Sequence, residues 1–320
     1  MRTSEIIPVF FTVDEKYAPY LSTALISLIE HASPENNYEI NVIFHHLSPL
    51  SRARIARLAR NYSNIRINLI AMQRTIEGIF DRKETRLKAD CFTPTIYYRI
   101  FLPEMFQQYD RGIYLDSDVI VMDDVAKLYR TDINDYLLAA CLDMSTFGNP
   151  LFTKYFNDAI GVSTDGYFNS GVLLINFKRF REEEFGEHFL YLLNTYDFDT
   201  VAPDQDYLNA MCKDRVKYLN ITWNTMPTAE AKEKHPKIVH FNLFFKPWHY
   251  DGTRYEEYFW QYAKKSPYYR IIMHEKENFV KNGKMGDDER LIQMSNRVEE
   301  ILRSDVTFRK VFDSGKERRS

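Results

Sequence analysis

The sequence predicts an α/β fold built on a parallel sheet, and the order of its first segments is the main reason. Strand-like and helix-like runs alternate as strand, helix, strand, helix, strand, the pattern of right-handed crossovers in a nucleotide-binding type of half-domain. Acids follow the first strand, at the carboxyl end where such sheets bind ligands. A later apolar run, RGIYLDSDVIVMDD, is broken in its middle by Asp116, Ser117 and Asp118.

The elements follow in chain order. IIPVFFTV reads as a buried strand, and YAPYLSTALISLIEHA as a helix with Leu21, Ala24, Leu25, Leu28 and Ile29 on one face, stopped before Pro34. YEINVIFHHL is a second strand, SPLSRARIARLARNY a second helix with Ser48 as its N-cap, and IRINLIAM a third strand. TPTIYYRIFLPEMF looks helical and carries Arg99. RGIYL, VIVMDD, LLAACLDM and FNSGVLLINF read as further strands, KRFREEEFGEHFLYLLNTY as one amphipathic helix, and PDQDYLNAMCKD as a shorter helix with Pro203 in its first turn. From about Ser266 the composition shifts to mixed charge with helical EKENFVKNGK and DDERLIQMSNRVEEILRS. We therefore expect a domain over residues 1–265 and a helical C-terminal extension over 266–320.

Composition narrows the function. The chain has 320 residues, is 45% hydrophobic and carries 42 basic against 45 acidic residues, a net charge of −3, so a nucleic-acid partner is not expected. Three cysteines, Cys91, Cys141 and Cys212, lack metal-type spacing and fit a reducing compartment. The short apolar run near the N-terminus is not a secretory signal, and no run is long enough to span a bilayer. A cytoplasmic location is expected, including the inner face of the cell membrane. The locally basic tail FRKVFDSGKERRS either frays into solvent or makes a weak peripheral membrane contact.

The chemistry centres on Asp116 and Asp118. Residues i and i+2 of an extended segment point the same way, so both carboxylates can face one hard divalent ion. An acidic turn solvated by water has the same sequence. KIVHFNLFFKPWHY adds His240 at the end of another strand, with Lys246 close behind. A metal ligand and a fixed cation leaving the same sheet edge as the carboxylates suit a diphosphate with Mn2+, or Mg2+ as the alternative.

FFTVDEKY, TPTIYYRI, YLDSDVIV, CLDM, YFNSGVLLINFKRFR, PDQDYLN and HFNLFFKPW, in this order, resemble family 8 glycosyltransferases over about residues 6–250. That group includes bacterial lipopolysaccharide galactosyl- and glucosyltransferases and glycogenin. The resemblance implies a GT-A fold with a single mixed central sheet flanked by helices. It implies Asp116, Asp118 and His240 as metal ligands, and Thr12 and Asp14 at the uracil-ribose end of a UDP-sugar. Arg99 and the amide of Asn169 would hold ribose and donor sugar, Ser117 would contact the substrate, Asp143, Asp204 and Gln205 would line the catalytic sugar pocket, and Lys246 would bind the diphosphate. Two positions depart from the family: Leu243 stands where a Gly usually meets the diphosphate, and Lys16 where Asn is common.

The implied activity is retaining transfer of a hexose, glucose or galactose, from UDP to a glycan, lipopolysaccharide or glycoprotein acceptor. Gln205 or Asp204 would serve a covalent route, whereas front-face attack needs no nucleophile. The alternative is a catalytically weak sugar-nucleotide-binding module, suggested by Leu243. A glycoside hydrolase would leave the HFNLFFKPW segment idle, and a nucleotidyltransferase lacks its Gly-rich loop.

Overall fold

The computed structural model describes residues 5–72, 94–146, 148–227, 233–281 and 286–317. Cys91, Thr93 of the TPTIYYRI segment, the end of EKENFVKNGK and the last three residues of the tail lie outside them. The first strands are β1 (Ile6–Val13), β2 (Asn37–Phe44) and β3 (Ile65–Ala71), joined by helices α1 (Ala18–His31) and α2 (Pro49–Ala56). Ser48 caps α2 by accepting the amide of Ser51 at 3.1 Å. Glu15 accepts from the Ser48 amide at 2.7 Å and the Ser51 hydroxyl at 2.7 Å, tying the end of β1 to the start of α2. Asp14 accepts the Tyr17 amide at 2.9 Å, just before α1.

The segment Pro94–Phe101 is a 3-10 helix, continued by α3 (Leu102–Met105). Strands β4 (Gly112–Leu115) and β5 (Val119–Val121), helix α4 (Ala126–Tyr129) and β6 (Leu138–Leu142) come next. Helix α5 (Pro150–Tyr155) runs into a π-turn at Phe156–Ile160, followed by β7 (Phe168–Ile175). The expected long helix after β7 is two, α6 (Phe177–Glu182) and α7 (Phe185–Tyr196), because Glu184 between them is left-handed at φ 50°. Then come α8 (Pro203–Met211), β8 (Val216–Tyr218), β9 (Ile238–His240), α9 (Glu256–Ala263), α10 (Tyr269–Lys281), α11 (Asp287–Arg303) and α12 (Phe308–Asp313).

Seven strands form one mixed sheet in the order β3-β2-β1-β4-β7-β6-β8. β1, β2 and β3 are parallel, as the alternation predicts, β4 joins them parallel to β1, and β7 runs antiparallel between β4 and β6. Strand periodicity assigns neighbouring residues to opposite cores. Val9 and Phe11 of β1, Ile113 of β4 and Val172 of β7 face one core with α1, whereas Phe10, Tyr114 and Leu173 face the other with α6, α7 and α8. Covered on both faces, the sheet is left with its strand ends, where side chains can reach a ligand.

The C-terminal tail docks. Phe308 is 1% exposed and stacks on Phe198 with centroids 4.0 Å apart, so this aromatic is withdrawn from any membrane contact. The fraying expected of the tail does not occur through α12, because burying Phe308 and Val311 holds it to the body of the protein. Among the described residues no helix is long and apolar enough to cross a membrane.

Candidate active site

The Asp116-Ser117-Asp118 triplet occupies the gap between β4 and β5. The Asp116 amide still donates to the Gly171 carbonyl at 2.8 Å, so the ladder to β7 runs one residue past the strand. The chain then leaves the main sheet, and β5 pairs antiparallel with β9 in a separate two-stranded sheet, setting Val119 opposite His240. This pairing delivers a late residue of the chain to the carboxylates. Ligand atoms of Asp116, Asp118 and His240 lie within 4.8 Å of one another. His240 Nε2 is 3.3 Å from Asp118 Oδ1 and 3.6 Å from Asp116 Oδ2.

Gly171 makes that approach sterically feasible. A Cβ there would sit 2.2 Å from His240 Cε1 and 2.6 Å from Asp116 Oδ2, so any larger residue would occupy the space the two ligands use. The hydrogen-bond network also assigns the imidazole proton. Asn224 Nδ2 donates to Asn169 Oδ1 at 2.9 Å, which leaves Asn224 Oδ1 to accept from His240 Nδ1 at 3.0 Å. With Nδ1 carrying the proton, Nε2 presents a lone pair to two carboxylates. Three electron-pair donors facing inward repel one another unless a cation lies among them. Two oxygens and one imidazole nitrogen are a fitting donor set for a divalent ion such as Mn2+.

Two fixed cations flank this cluster. Lys246 Nζ lies 2.6 Å from Asp118 Oδ2 and also donates to the Phe241 carbonyl. Burial alone would raise the Asp118 pKa and lower that of Lys246; their mutual attraction wins, holding Asp118 well below the usual carboxylate range and Lys246 above its ordinary value. Arg99, 5% exposed, places Nη2 3.0 Å from Asp116 Oδ1 and Nη1 3.1 Å from Asp204 Oδ2, with its guanidinium 4.3 Å above the Tyr114 ring. Burial would depress the Arg99 pKa, but Asp116 and Asp204 raise it further. Burial pushes Asp204 upward against the opposing pull of Arg99.

Beside the cluster opens a cleft. Its walls include Asp116, Asp118, His240, Asp143, Asn169 and Gln205. Gln205 Nε2 donates to Asp143 Oδ2 at 2.8 Å, Asn169 Nδ2 donates to the same oxygen at 3.1 Å, and Gln205 Oε1 accepts the Ser170 amide at 3.0 Å. These three side chains, from just past β6, from β7 and from α8, therefore orient one another. The lining also has an apolar part, with Phe152, Phe156, Leu243 and Met294.

The other residues singled out in the sequence take distinct places. Thr12 Oγ1 is 2.9 Å from the Tyr114 hydroxyl, and Ser117 Oγ donates to the Thr12 carbonyl at 2.9 Å, joining the end of β1 to the acidic triplet. Lys16 is exposed and bears electrostatically on Glu275. Asp204 is turned from the cleft wall toward Arg99 and Ser170. Leu243 adopts the left-handed conformation, φ 52°, that the family's usual Gly would reach at little cost.

Four residues escaped the sequence reading. Tyr114 donates to Asp116 Oδ1 at 2.8 Å and Ser170 Oγ donates to Asp204 Oδ2 at 2.9 Å; both stand within segments already picked out, where alternation along a strand hints at them. Asn224 orients His240, and Asn242 lines the cleft with a buried Oδ1 that has no hydrogen-bond partner. No local pattern announces either.

Comparison with known proteins agrees with this geometry. The family model described as glycosyl transferase family 8 matches residues 8–252. General stress protein A of Bacillus subtilis is 28% identical over 283 residues, covering 81% of this chain and 94% of its own. The lipopolysaccharide 1,2-glucosyltransferase of Escherichia coli K12 is 24% identical over 321 residues, covering 94% and 87%. Among solved structures, the galactosyltransferase LgtC in complex with donor and acceptor sugar analogues superposes with a TM-score of 0.65 at 27% identity, covering 82% of this chain and 96% of that one. The bifunctional glycosyltransferase WbbM in its apo form reaches 0.73 at 22% identity and shares the fold; the match covers 87% of this chain and 53% of that longer one. With a GT-A fold, an acid-acid-imidazole cluster at its strand ends and a family match over most of its length, the chain belongs to glycosyltransferase family 8.

Proposed function

We propose that this glycosyltransferase moves a hexose, glucose or galactose, from a UDP-sugar to a hydroxyl of a glycan, lipopolysaccharide or glycoprotein, with Mn2+ as cofactor and retention of anomeric configuration. The observation that carries the reading is the convergence of His240 Nε2 on the Asp116 and Asp118 carboxylates, with the Lys246 ammonium 2.6 Å from Asp118. A divalent ion held by Asp116, Asp118 and His240 supplies Lewis-acid stabilisation of charge developing on the leaving diphosphate.

The chain's own groups do the rest. Lys246 is a preorganised positive charge for the leaving phosphate, in a buried setting where such a charge acts strongly. Thr12 and Asp14 take the uracil-ribose end, Lys16 reaches a ribose or phosphate, Ser117 contacts the substrate, and Arg99 with Asn169 hold ribose and donor sugar. Asp143 and Gln205 bind the sugar hydroxyls from the cleft wall. Asp204 accepts from Arg99 and Ser170, and Gln205 Oε1 accepts the Ser170 amide, so both candidate nucleophiles are engaged. That engagement supports front-face attack. The acceptor oxygen bonds the anomeric carbon as the bond to UDP breaks, and the departing phosphate takes the acceptor proton. Positioning in the cleft contributes much of the remaining acceleration. We also assign residues 1–265 to the catalytic domain and 266–320 to its helical extension.

The names of the lipopolysaccharide glucosyltransferase and of LgtC support a hexose. Calorimetric titration of UDP-glucose, UDP-galactose and UDP-N-acetylglucosamine, each with Mn2+ and with chelator, tests the reading. One donor should bind with Mn2+ and release UDP slowly, and Asp116→Asn should abolish this while the fold persists. No binding of any donor with Mn2+ present would sink it.

A further inference from the structure

The family match ends at residue 252, yet α11, which begins at Asp287, reaches the site. Its first carboxylate, 4% exposed, accepts the Phe245 amide at 2.7 Å through Oδ2. Phe245 immediately precedes Lys246. Arg290 Nη1 lies 3.4 Å from the other oxygen, Oδ1. On the far side of Lys246, the Tyr250 phenol is pushed upward by burial and by the charge and hydrogen bond of the same Asp287. The Lys246 carbonyl closes the turn by accepting the His249 amide at 2.9 Å and the Tyr250 amide at 3.0 Å. Two turns along α11, Met294 lines the same cleft.

The loop needs such support. Leu243 and Phe245 are both left-handed, at φ 52° and φ 55°, and both side chains are 43% exposed, so side-chain burial does little to hold either conformation. Non-glycine residues keep that conformation only where the surroundings over-determine it. Lys246 is anchored at its tip by Asp118, but the backbone before it is tied through Phe245 to Asp287.

We infer that Asp287 is a positioning residue for donor binding: it clamps the 243–246 loop so that the Lys246 ammonium stays poised for the diphosphate, making α11 part of the donor site. This rests on the sugar-nucleotide reading above, and the test separates the two. UDP and uridine are titrated calorimetrically into wild-type protein, Asp287→Ala and Asp287→Asn, all with Mn2+. Asp287→Ala should weaken UDP about tenfold and leave uridine unchanged, because only the diphosphate meets Lys246. Asp287→Asn, which keeps an acceptor oxygen, should recover most of that loss. UDP affinity unchanged in Asp287→Ala, equal losses for UDP and uridine, or an Asn variant as weak as the Ala variant each overturns the inference. Wild-type protein that does not bind UDP overturns the sugar-nucleotide reading and this inference with it. Should Asp287→Ala fail to fold, amide hydrogen exchange of the wild type decides: a protected Phe245 amide, further slowed by UDP, is expected, and a freely exchanging one refutes the clamp.

Discussion

Replacing Gly171 with Ala should disable the acid-imidazole cluster through one methyl group. The added Cβ would lie 2.2 Å from His240 Cε1, 2.9 Å from His240 Nδ1 and 2.6 Å from Asp116 Oδ2, where ordinary contact begins at 3.4 Å. Restoring contact to Cε1 means moving the ring by 3.4 − 2.2 = 1.2 Å. His240 is 2% exposed and tied to Asn224, so it cannot yield without losing its aim. Metal ligation tolerates roughly 0.2 Å, and even disturbance of groups behind the ligands costs about 10–100-fold in affinity. We expect Mn2+ affinity to fall at least that much, or about 1.4–2.8 kcal/mol at 1.4 kcal/mol per decade. Overpacking should cost a further ~1–3 kcal/mol of stability. Gly112→Ala is the control. Its Cβ would meet Phe10 at 2.6 Å and Phe177 at 2.7 Å, a somewhat milder crowding at the end of β4 away from Asp116. Calorimetric Mn2+ titration alongside thermal melts reads both effects. Stability should drop in both variants and Mn2+ affinity only in Gly171→Ala. Wild-type Mn2+ affinity in Gly171→Ala would refute the assignment of this cluster as the ion site.

Other perturbations probe the surroundings. Lys246→Ala should weaken UDP by about 10–100-fold and uridine hardly at all, since a charge-assisted contact to the diphosphate is worth roughly 1.5–3 kcal/mol; equal losses by calorimetry would remove its phosphate role. Leu243→Gly should stabilise the protein by about 0.5–1 kcal/mol in denaturant unfolding, because the left-handed conformation costs Leu roughly 1–2 kcal/mol and the greater unfolded-state freedom of Gly cancels part of the gain; a destabilised variant contradicts this. Asp206 offers a pH test. Burial pushes its pKa up to about 6 from 3.8, against hydrogen bonds from the Tyr155 and Tyr167 hydroxyls at 2.7 Å and 2.6 Å. Between those two values the folded state binds more protons than the unfolded one, so this group's contribution to stability is full below pH 3.8 and falls as pH rises through 6. Relative to Asp206→Asn, the wild type should therefore gain up to about 3 kcal/mol on acidification from pH 7 to 4. A stability difference independent of pH would show that Asp206 does not titrate in this window.

The sequence by itself determined the half of the sheet that local chemistry controls. Apolar strand runs, a capping Ser48 and Pro203 act through neighbours a few residues away, so β1 to β4, α2 and α8 are readable from spacing alone. The acidic pair was legible as two carboxylates one residue apart, but the extended backbone expected between them is a turn at Ser117 and Asp118, so their convergence comes from that turn and not from strand alternation. The splitting of α6 from α7 was not, because it depends on one left-handed Glu184 within a run that otherwise suits a helix.

Only the tertiary structure decided which acids meet which cations. β5 leaves the main sheet to pair with β9, and that long-range pairing brings His240 to the triplet. Asn224 acquires its role by facing the His240 ring, and Asp287 by facing an amide in a loop more than 40 residues earlier, a separation of 42. Such contacts are set by closure of distant chain segments, and hydrogen-bond partners at that separation leave no periodic trace. The same reason explains the tail: Phe308 reads as an aromatic near a basic terminus, and only the groove that receives it makes it core.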